Sequence, residues 1–230
     1  MKNNKRLGIL ALGFMMSGAQ AFEVGVGLKG GTLGLGAEAT FKVLDSLNVR
    51  ASINKFSRSD TFDESGVTYD GDATLSTLGL TADWHPFKGS FRISAGVMKN
   101  GNEFELEAKC SQSCDIDGNQ YKSNTADPGR INAMIDFKSM APYAGIGWGN
   151  AMSGGKLYFG ADIGVLFQDT PQASLTASGK FDKTSGVPAT LDASDPTFQA
   201  QLKKEEASLQ DEMSDFDMYP VINFNLGYRF

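Results

Sequence analysis

Apolar and polar residues alternate at every second position in eight stretches of the chain. These stretches are 22–29, 33–42, 47–54, 77–85, 91–98, 140–149, 157–168 and 219–230. In the last of them, one row of side chains is apolar throughout: Ile222, Phe224, Leu226, Tyr228 and Phe230. A period of two is typical of a β-strand whose two faces meet different surroundings. The pattern therefore predicts eight amphipathic β-strands.

This alternation fits a soluble β-sandwich, which buries the apolar rows, and also a transmembrane β-barrel, which turns them toward lipid. The lengths of the connections distinguish the two. Apart from a short first hairpin near Gly30, short connections (43–46, 86–90 and 150–156) alternate with long ones (57–73, 99–139 and 169–218). Short turns on one rim and long loops on the other are typical of outer-membrane barrels. We therefore predict an all-β, eight-stranded antiparallel up-and-down transmembrane β-barrel with both termini in the periplasm.

Aromatic residues support this choice, because many of them lie at the strand ends next to the short turns. They are Phe22, Phe41, Trp84, Phe91, Trp148, Phe159, Tyr228 and Phe230. Aromatic side chains are enriched where a membrane meets water, and they form girdles around outer-membrane barrels. We interpret them as the interfacial girdle of a protein surrounded by outer-membrane lipid and lipopolysaccharide.

The first 21 residues have the pattern of a secretory signal peptide. Lys2, Lys5 and Arg6 precede an apolar run over 7–16, and the stretch ends in "AQA", a small-x-small cleavage site. The apolar run is too short to cross a bilayer as a helix, which takes about 20 residues. We predict cleavage after residue 21 and, since no Pro/Ser-rich linker divides the chain, one barrel domain over 22–230.

The charge balance narrows the classes of partner. Without the three basic residues of the predicted signal peptide, the chain has 18 Lys and Arg against 27 Asp and Glu. This acidic balance argues against nucleic acid as a partner. Acids in the predicted loops, such as Asp60, Asp63 and Asp72, either keep the exposed loops hydrated or attract cationic solutes.

The polar rows of the predicted strands contain ionisable residues, which we expect to line the lumen. These are Lys29, Glu38, Lys42, Arg50, Asp83, His85, Arg92, Asp162 and Arg229. Charges inside a membrane protein are costly unless they are paired or hydrated. Eight strands enclose a space that side chains can just fill, so one hypothesis is a salt-bridged, closed lumen. Inward glycines such as Gly145 and Gly147 favour the other hypothesis, a charged constriction in a narrow pore.

Other chemistry is weakly represented in the sequence. His85 is the only histidine, and no Ser/Asp partner stands at a spacing that suggests a catalytic triad, so we predict no enzymatic activity. Cys110 and Cys114 lie in a long loop of an exported chain, which predicts a disulfide. Two thiols cannot complete a tetrahedral zinc site, and we predict neither a metal nor a cofactor.

One helix is predicted in the last long loop. Ser194 or Asp195 can cap it, and Pro196 suits its first turn. Apolar residues then recur at helical spacing over about 20 residues: Phe198, Leu202, Leu209, Met213 and Phe216. Such a helix can cover the barrel rim, close the lumen as a movable lid, or lie in the membrane interface, although its acids disfavour an anionic surface.

Four stretches resemble a known family: "DWHPFKGSFRISAGVMKNGNEF", "APYAGIGWGNA", "EEASLQDEMSDF" and "YPVINFNLGYRF". They are similar to small Gram-negative outer-membrane barrels that include the CarO-type channel associated with ornithine uptake, with a more distant likeness to OmpW-type barrels. The resemblance extends from about Val24 to Phe230 and implies passive uptake of small amino acids. It also implies that Tyr228 and Phe230 belong to a C-terminal signal that the barrel assembly machinery reads.

Two functions therefore stay open. One is a narrow passive channel for small cationic or zwitterionic, amino-acid-like solutes. The other is a non-conducting structural or surface-interaction barrel whose lumen is closed by salt bridges.

Overall fold

The computed structural model describes residues 23–64, 66–187 and 189–230, so the predicted signal peptide and Phe22 lie outside the described residues. None of the helices in these ranges is long and apolar enough to cross a membrane. The elements are β1 (Val24–Gly31), β2 (Gly34–Leu44), β3 (Leu47–Glu64), β4 (Val67–Trp84), β5 (Phe91–Asn100), β6 (Glu103–Lys109), β7 (Cys114–Ile116), β8 (Asn119–Ser123), β9 (Arg130–Asp136), β10 (Met140–Trp148), β11 (Leu157–Phe167), β12 (Gln172–Ser178), β13 (Lys180–Lys183), β14 (Thr190–Asp192), α1 (Pro196–Glu212), a 3₁₀ turn (Met213–Asp215) and β15 (Met218–Arg229).

Eight strands pair edge to edge in a closed antiparallel ring. Their order around the ring is β1, β2, β3, β4, β5, β10, β11 and β15. The ring closes where β15 pairs with β1, with Leu226 opposite Leu28. This confirms the predicted eight-stranded barrel. Closure gives each of these strands a neighbour on both sides, so the ring has no free edge.

The outside of the ring is apolar and its inside is polar. Along β2, Leu35 and Phe41 are exposed on the outer row, whereas Glu38 and Thr40 are buried on the inner row. Exposed apolar side chains form the same outer row on every strand of the ring; they include Val26, Ile53, Leu80, Ile93, Ile146, Ile163 and Phe224. A continuous apolar band around a polar interior is the pattern of a transmembrane barrel.

The strands β3 and β4 are each 18 residues long and continue well beyond this band. Their pairing holds one register as far as Glu64 and Val67. Within that register, the outer row of β4 changes from Leu78 to Asp72, while the inner row changes from Thr77 to Leu75. The two faces of the strand thus exchange polarity. Sequence alternation placed the ends of these strands near 54 and 77 because the apolar row changes sides there.

Three further strands extend this hairpin into a five-stranded sheet, which we call the outer sheet. It consists of 55–64 of β3, 67–76 of β4, and the strands β6, β9 and β12. The strand β6 pairs with β4, β9 pairs with β6, and β12 pairs with β9. The long connections, predicted as loops, therefore contain strands that continue one side of the ring.

A second, four-stranded sheet (β7, β8, β13 and β14) packs with α1 against the outer sheet, and we call these elements the capping unit. Its core is aromatic. The ring of Phe198 stacks on Phe181 with centroids 4.6 Å apart and meets Tyr121 edge-on at 5.4 Å. Ile131 of β9 and Ala177 of β12 pack on this cluster. Burial of three aromatic side chains supplies the main apolar area of a unit that has few other core residues.

The helix α1 confirms the prediction of one helix near the C-terminal end. The carboxylate of Asp195 accepts hydrogen bonds from the backbone amides of Thr197 and Phe198, which is the N-cap arrangement. Of the predicted apolar face, Phe198 and Leu202 are buried. Phe216 lies beyond the helix and is 56% exposed. The helix is thus shorter than predicted, and its first two turns supply its buried apolar residues.

Candidate functional site: the lumen of the ring

Arg50 is the centre of a layer of charges that crosses the lumen. Its guanidinium group lies 2.8 Å from an oxygen of Asp162, 3.0 Å from one of Asp83 and 3.4 Å from one of Glu38. These partners come from strands β11, β4 and β2, so one side chain joins four strands of the ring. A buried guanidinium is stable here because its five donors face three carboxylates.

Two more cations complete the layer. The guanidinium of Arg92 lies 2.8 Å from Asp162 and also donates to the backbone carbonyl of Gly149. The ammonium of Lys29 lies 3.8 Å from Glu38. The layer holds three cations and three carboxylates, and all six residues are buried: Lys29, Arg50, Arg92, Glu38, Asp83 and Asp162. Its formal charge is therefore zero.

Neutral donors satisfy carboxylate oxygens of the layer. The hydroxyl of Ser94 donates to Asp83 at 2.6 Å, and the side-chain amide of Asn225 donates to Glu38 at 2.6 Å. Hydrogen bonds to ionised groups are among the stronger ones in proteins. The charge layer is therefore a connected network rather than a set of isolated ion pairs.

An apolar cluster closes the ring on the long-loop side of the charge layer. Leu33, in the turn between β1 and β2, is fully buried and packs with Met98, Tyr143, Leu166 and Val221. Sequence alternation had placed Leu33 on the outward row of a strand over 33–42, which is wrong. The chain turns inward at this point because Gly34 adopts a positive φ of 93°, a conformation that side chains disfavour.

Thr32 holds this turn against β15. Its backbone amide donates to the carbonyl of Ile222 at 3.0 Å, and its hydroxyl donates to the carbonyl of Pro220 at 3.0 Å. The phenol of Tyr219 donates to the carbonyl of Thr32 at 2.6 Å. Leu33 is thus fixed over the lumen by the hydrogen bonds of its neighbour.

The short-turn end of the lumen is closed by the connection between β10 and β11. Ala151 and Met152 of that connection are buried and pack with Tyr158. His85 is buried beside them, with Nδ1 3.0 Å from the carbonyl of Gly89 and Nε2 3.2 Å from the side-chain amide of Asn48. A carbonyl only accepts, so Nδ1 carries the proton and Nε2 accepts from the amide. Both ring nitrogens are therefore occupied.

Little space remains in the lumen. The cavity between the charge layer and the short-turn end has a volume of about 10 Å³ and is lined by residues that include Arg50, His85 and Tyr158. A single water molecule needs roughly 10–15 Å³ of this kind of volume. Side chains therefore leave room for about one water molecule in this part of the lumen.

Seven of the nine predicted lumen residues are buried inside the ring, and two lie elsewhere. Lys42 and Arg229 are partly exposed at the short-turn rim. The ammonium of Lys42 is 3.4 Å from Asp45, and the guanidinium of Arg229 donates to the carbonyl of Gly154 at 2.7 Å. Both residues are on the inward row, but their long side chains reach water at the strand ends.

The other residues singled out from the sequence are outside the lumen. The sulfur atoms of Cys110 and Cys114 are joined in the structure, and Cys110 is buried in the core of the capping unit. Tyr228 and Phe230 face outward at the short-turn rim, with ring centroids 5.2 Å apart. Their part in barrel assembly stays a prediction.

The capping unit contains carboxylates whose ionised form is hydrogen-bonded. The hydroxyl of Thr190 and the amide of Asn124 hold the pKa of Asp182 below its usual value, and Ser194 does the same for the pKa of Asp192. A pKa that is lowered by folding gives stability that is complete at neutral pH and is lost as the pH falls below the unfolded value of about 3.9.

We therefore expect the capping unit to loosen below about pH 4, where the unfolded carboxylates begin to bind protons. Hydrogen exchange of the β13 and β14 amides between pH 7 and pH 3, corrected for intrinsic rates, measures this. Asp182→Asn should remove part of the pH dependence. Equal pH dependence in the variant and the parent protein would contradict this assignment.

Comparison with known proteins identifies the fold. A scan against protein-family models found no match, and neither did a search of curated protein sequences. The crystal structure of Acinetobacter baumannii CarO2 is 19% identical, with a TM-score of 0.58 over 92% of this chain and 100% of that chain. Acinetobacter baumannii CarO is 18% identical, with a TM-score of 0.56 over 90% and 97% of the two chains. The chain therefore has the fold of the CarO outer-membrane proteins, which confirms the resemblance at the level of the fold.

Proposed function

We propose that this protein is a non-enzymatic outer-membrane barrel with a closed lumen, which holds the capping unit at the cell surface and keeps both termini in the periplasm. The observation that carries the proposal is the triple closure of the lumen by the Leu33 cluster, the charge layer and the connection between β10 and β11. Of the two hypotheses from the sequence, this closure favours the non-conducting barrel. The partners of such a protein are membrane lipid, lipopolysaccharide and the barrel assembly machinery.

The height of the apolar band supports a position in a membrane. In β11 the outer row is apolar from Leu157 to Phe167, and both ends are exposed. Ten steps of about 3.4 Å at a tilt of about 40° give a band roughly 26 Å high. The apolar belt of outer-membrane barrels is about 25 Å high. The polarity exchange in β4, beyond Leu78, supports the same boundary on the opposite side of the ring.

Recording from planar lipid bilayers tests the closed lumen. Protein whose insertion is verified by heat-modifiable migration on a gel is expected to give no resolvable conductance over a wide voltage range. The three closures act in series, so Leu33→Ala alone is expected to leave the membrane non-conducting, because the charge layer still fills the ring. Stable open steps with the unaltered protein would overturn the proposal.

A narrow passive channel for small cationic or zwitterionic, amino-acid-like solutes is the second candidate. The balanced charge layer favours it, because a solute carrying both charges can exchange partners with paired side chains. Lys29 is the most exchangeable member, since its single ion pair is 3.8 Å long. Under this candidate, recordings in a salt gradient show conductance, and Lys29→Met shifts the reversal potential toward cation selectivity. An unchanged reversal potential in that variant counts against it.

A further inference from the structure

The outer sheet has two free edges, and the chain protects them differently. Beyond Lys55, β3 pairs only with β4 among the described strands, so its other side is one edge. This edge segment is rich in charge: Arg58, Asp60, Asp63 and Glu64. The other edge is β12, whose sequence "QASLTAS" has no charge and no proline. Charge and proline are the usual devices that keep an edge strand from pairing with another chain, and β12 lacks both.

The helix α1 lies along β12 and bonds to its free edge. The carboxylate of Glu206 accepts from the backbone amide of Leu175 at 2.8 Å. The side chain of Gln210 accepts from the amide of Ala173 at 3.0 Å and donates to the carbonyl of Pro171 at 2.9 Å. These backbone groups belong to alternate residues, so they point to the same side of the strand, away from β9.

The spacings of the helix and the strand match. Residues four apart on a helix rise about 6 Å, and residues two apart on a strand rise about 6.7 Å. Glu206 and Gln210 therefore meet successive outward amides of β12. The amide group of Gln210 engages a carbonyl and the N–H two residues further on. In a parallel sheet, one residue of the neighbouring strand bonds in the same way to a carbonyl and to the N–H two residues further on. The side chain of Gln210 therefore takes the place of one residue of a parallel strand.

We propose that α1 is a strand substitute that protects the β12 edge from pairing with β12 of a second copy of this chain. A second copy is the occupant that the geometry fits. A second copy presents the identical uncharged edge, whose outward N–H and C=O groups can bond to the same groups of β12. The ladder contact that Gln210 reproduces is a parallel one, and the strand is uncharged, so no like charges oppose self-pairing.

The double variant Glu206→Ala/Gln210→Ala tests the proposal. Alanine keeps the helix, because its helix propensity is the highest of all residues. At protein concentrations low enough to keep the variant monomeric, hydrogen exchange of the Ala173 and Leu175 amides is expected to become at least about tenfold faster, the factor for a loss of about 1.4 kcal/mol of protection. The amides of Ser174 and Thr176, on the β9 side, should not change. In detergent micelles the variant should form a dimer as its concentration is raised, measured by light scattering, whereas the parent protein should stay monomeric.

Two controls separate this effect from a general loss of structure. Asp211→Ala changes an exposed acid on the same helix, and Glu206→Gln retains the acceptor; both should behave like the parent protein. Retained protection of the α1 amides shows that the helix is folded. Unchanged exchange at Ala173 and Leu175 in the monomeric variant would overturn the strand substitute. Faster exchange in the monomer, with no dimer at any higher protein concentration, would overturn self-pairing.

Discussion

Replacing Arg50 with methionine is expected to lower the free energy of unfolding of the barrel by about 3–5 kcal/mol, as for other buried ion pairs that lose one partner. The substitution leaves Asp83 without its close cation, and the ion pair left to Glu38 is the 3.8 Å one with Lys29. Methionine fills much of the same volume, so the loss reports charge rather than a cavity. Urea unfolding in lipid vesicles, followed by heat-modifiable migration, measures the change.

Arg229→Met is the matched control for this prediction. Arg229 stands on the same inward row but reaches the rim, where its partner is the exposed carbonyl of Gly154. A substitution at such a surface position is expected to change stability by no more than about 0.5 kcal/mol. Equal losses in the two variants would mean that water reaches the Arg50 layer and that the lumen is open.

Replacing Phe198 with alanine is expected to unfold the capping unit while the ring stays intact. The side chain is fully buried between Phe181 and Tyr121, and removal of a buried phenylalanine costs about 3–5 kcal/mol. The unit has a small aromatic core, so a loss of this size exceeds what its remaining contacts can offset. Limited proteolysis should cut segments 110–124 and 178–195, while heat-modifiable migration of the barrel is unchanged.

Phe216→Ala is the control, because Phe216 is largely exposed and is expected to matter by less than about 0.5 kcal/mol. Two outcomes show whether the ring and the capping unit fold independently. Cleavage confined to the capping unit means that the ring folds without it. Simultaneous loss of the heat-modifiable form in Phe198→Ala would contradict the division into two units.

The ring could be predicted from the sequence because its physical cause is local. Each of its strands has an apolar outer row and a polar inner row, so the alternation of side chains carries the information. The outer sheet could not be predicted in this way. Within β4 the outer row is polar at Asp72 and apolar from Leu78 onward. In the sequence, such a change in which row is apolar looks like the end of a strand.

The candidate site was predictable as a set of residues but not as a network. The alternation of polar and apolar positions placed Arg50 and Asp162 on inward rows, yet the two are 112 positions apart in the chain. Whether they meet depends on the stagger of strands around the ring, which no local pattern encodes. The Leu33 closure was hidden for a different reason. A single leucine before a glycine extends the apolar row of a strand, and only the backbone turn at Gly34 directs it inward.

Labelling of single cysteines on intact cells tests the central claim most directly. The claim is that the outer sheet faces water, that the outer row of the ring faces lipid, and that the lumen is closed. The native cysteines are joined and do not react. With a membrane-impermeant maleimide, Ser59→Cys on the outer sheet should label rapidly. Ala51→Cys, on the same outer row of β3 but within the apolar band, and Ser94→Cys, in the buried charge layer, should not label. Labelling of Ser94→Cys at the rate of Ser59→Cys would contradict the closed lumen, and labelling of Ala51→Cys at that rate would contradict the lipid-facing band.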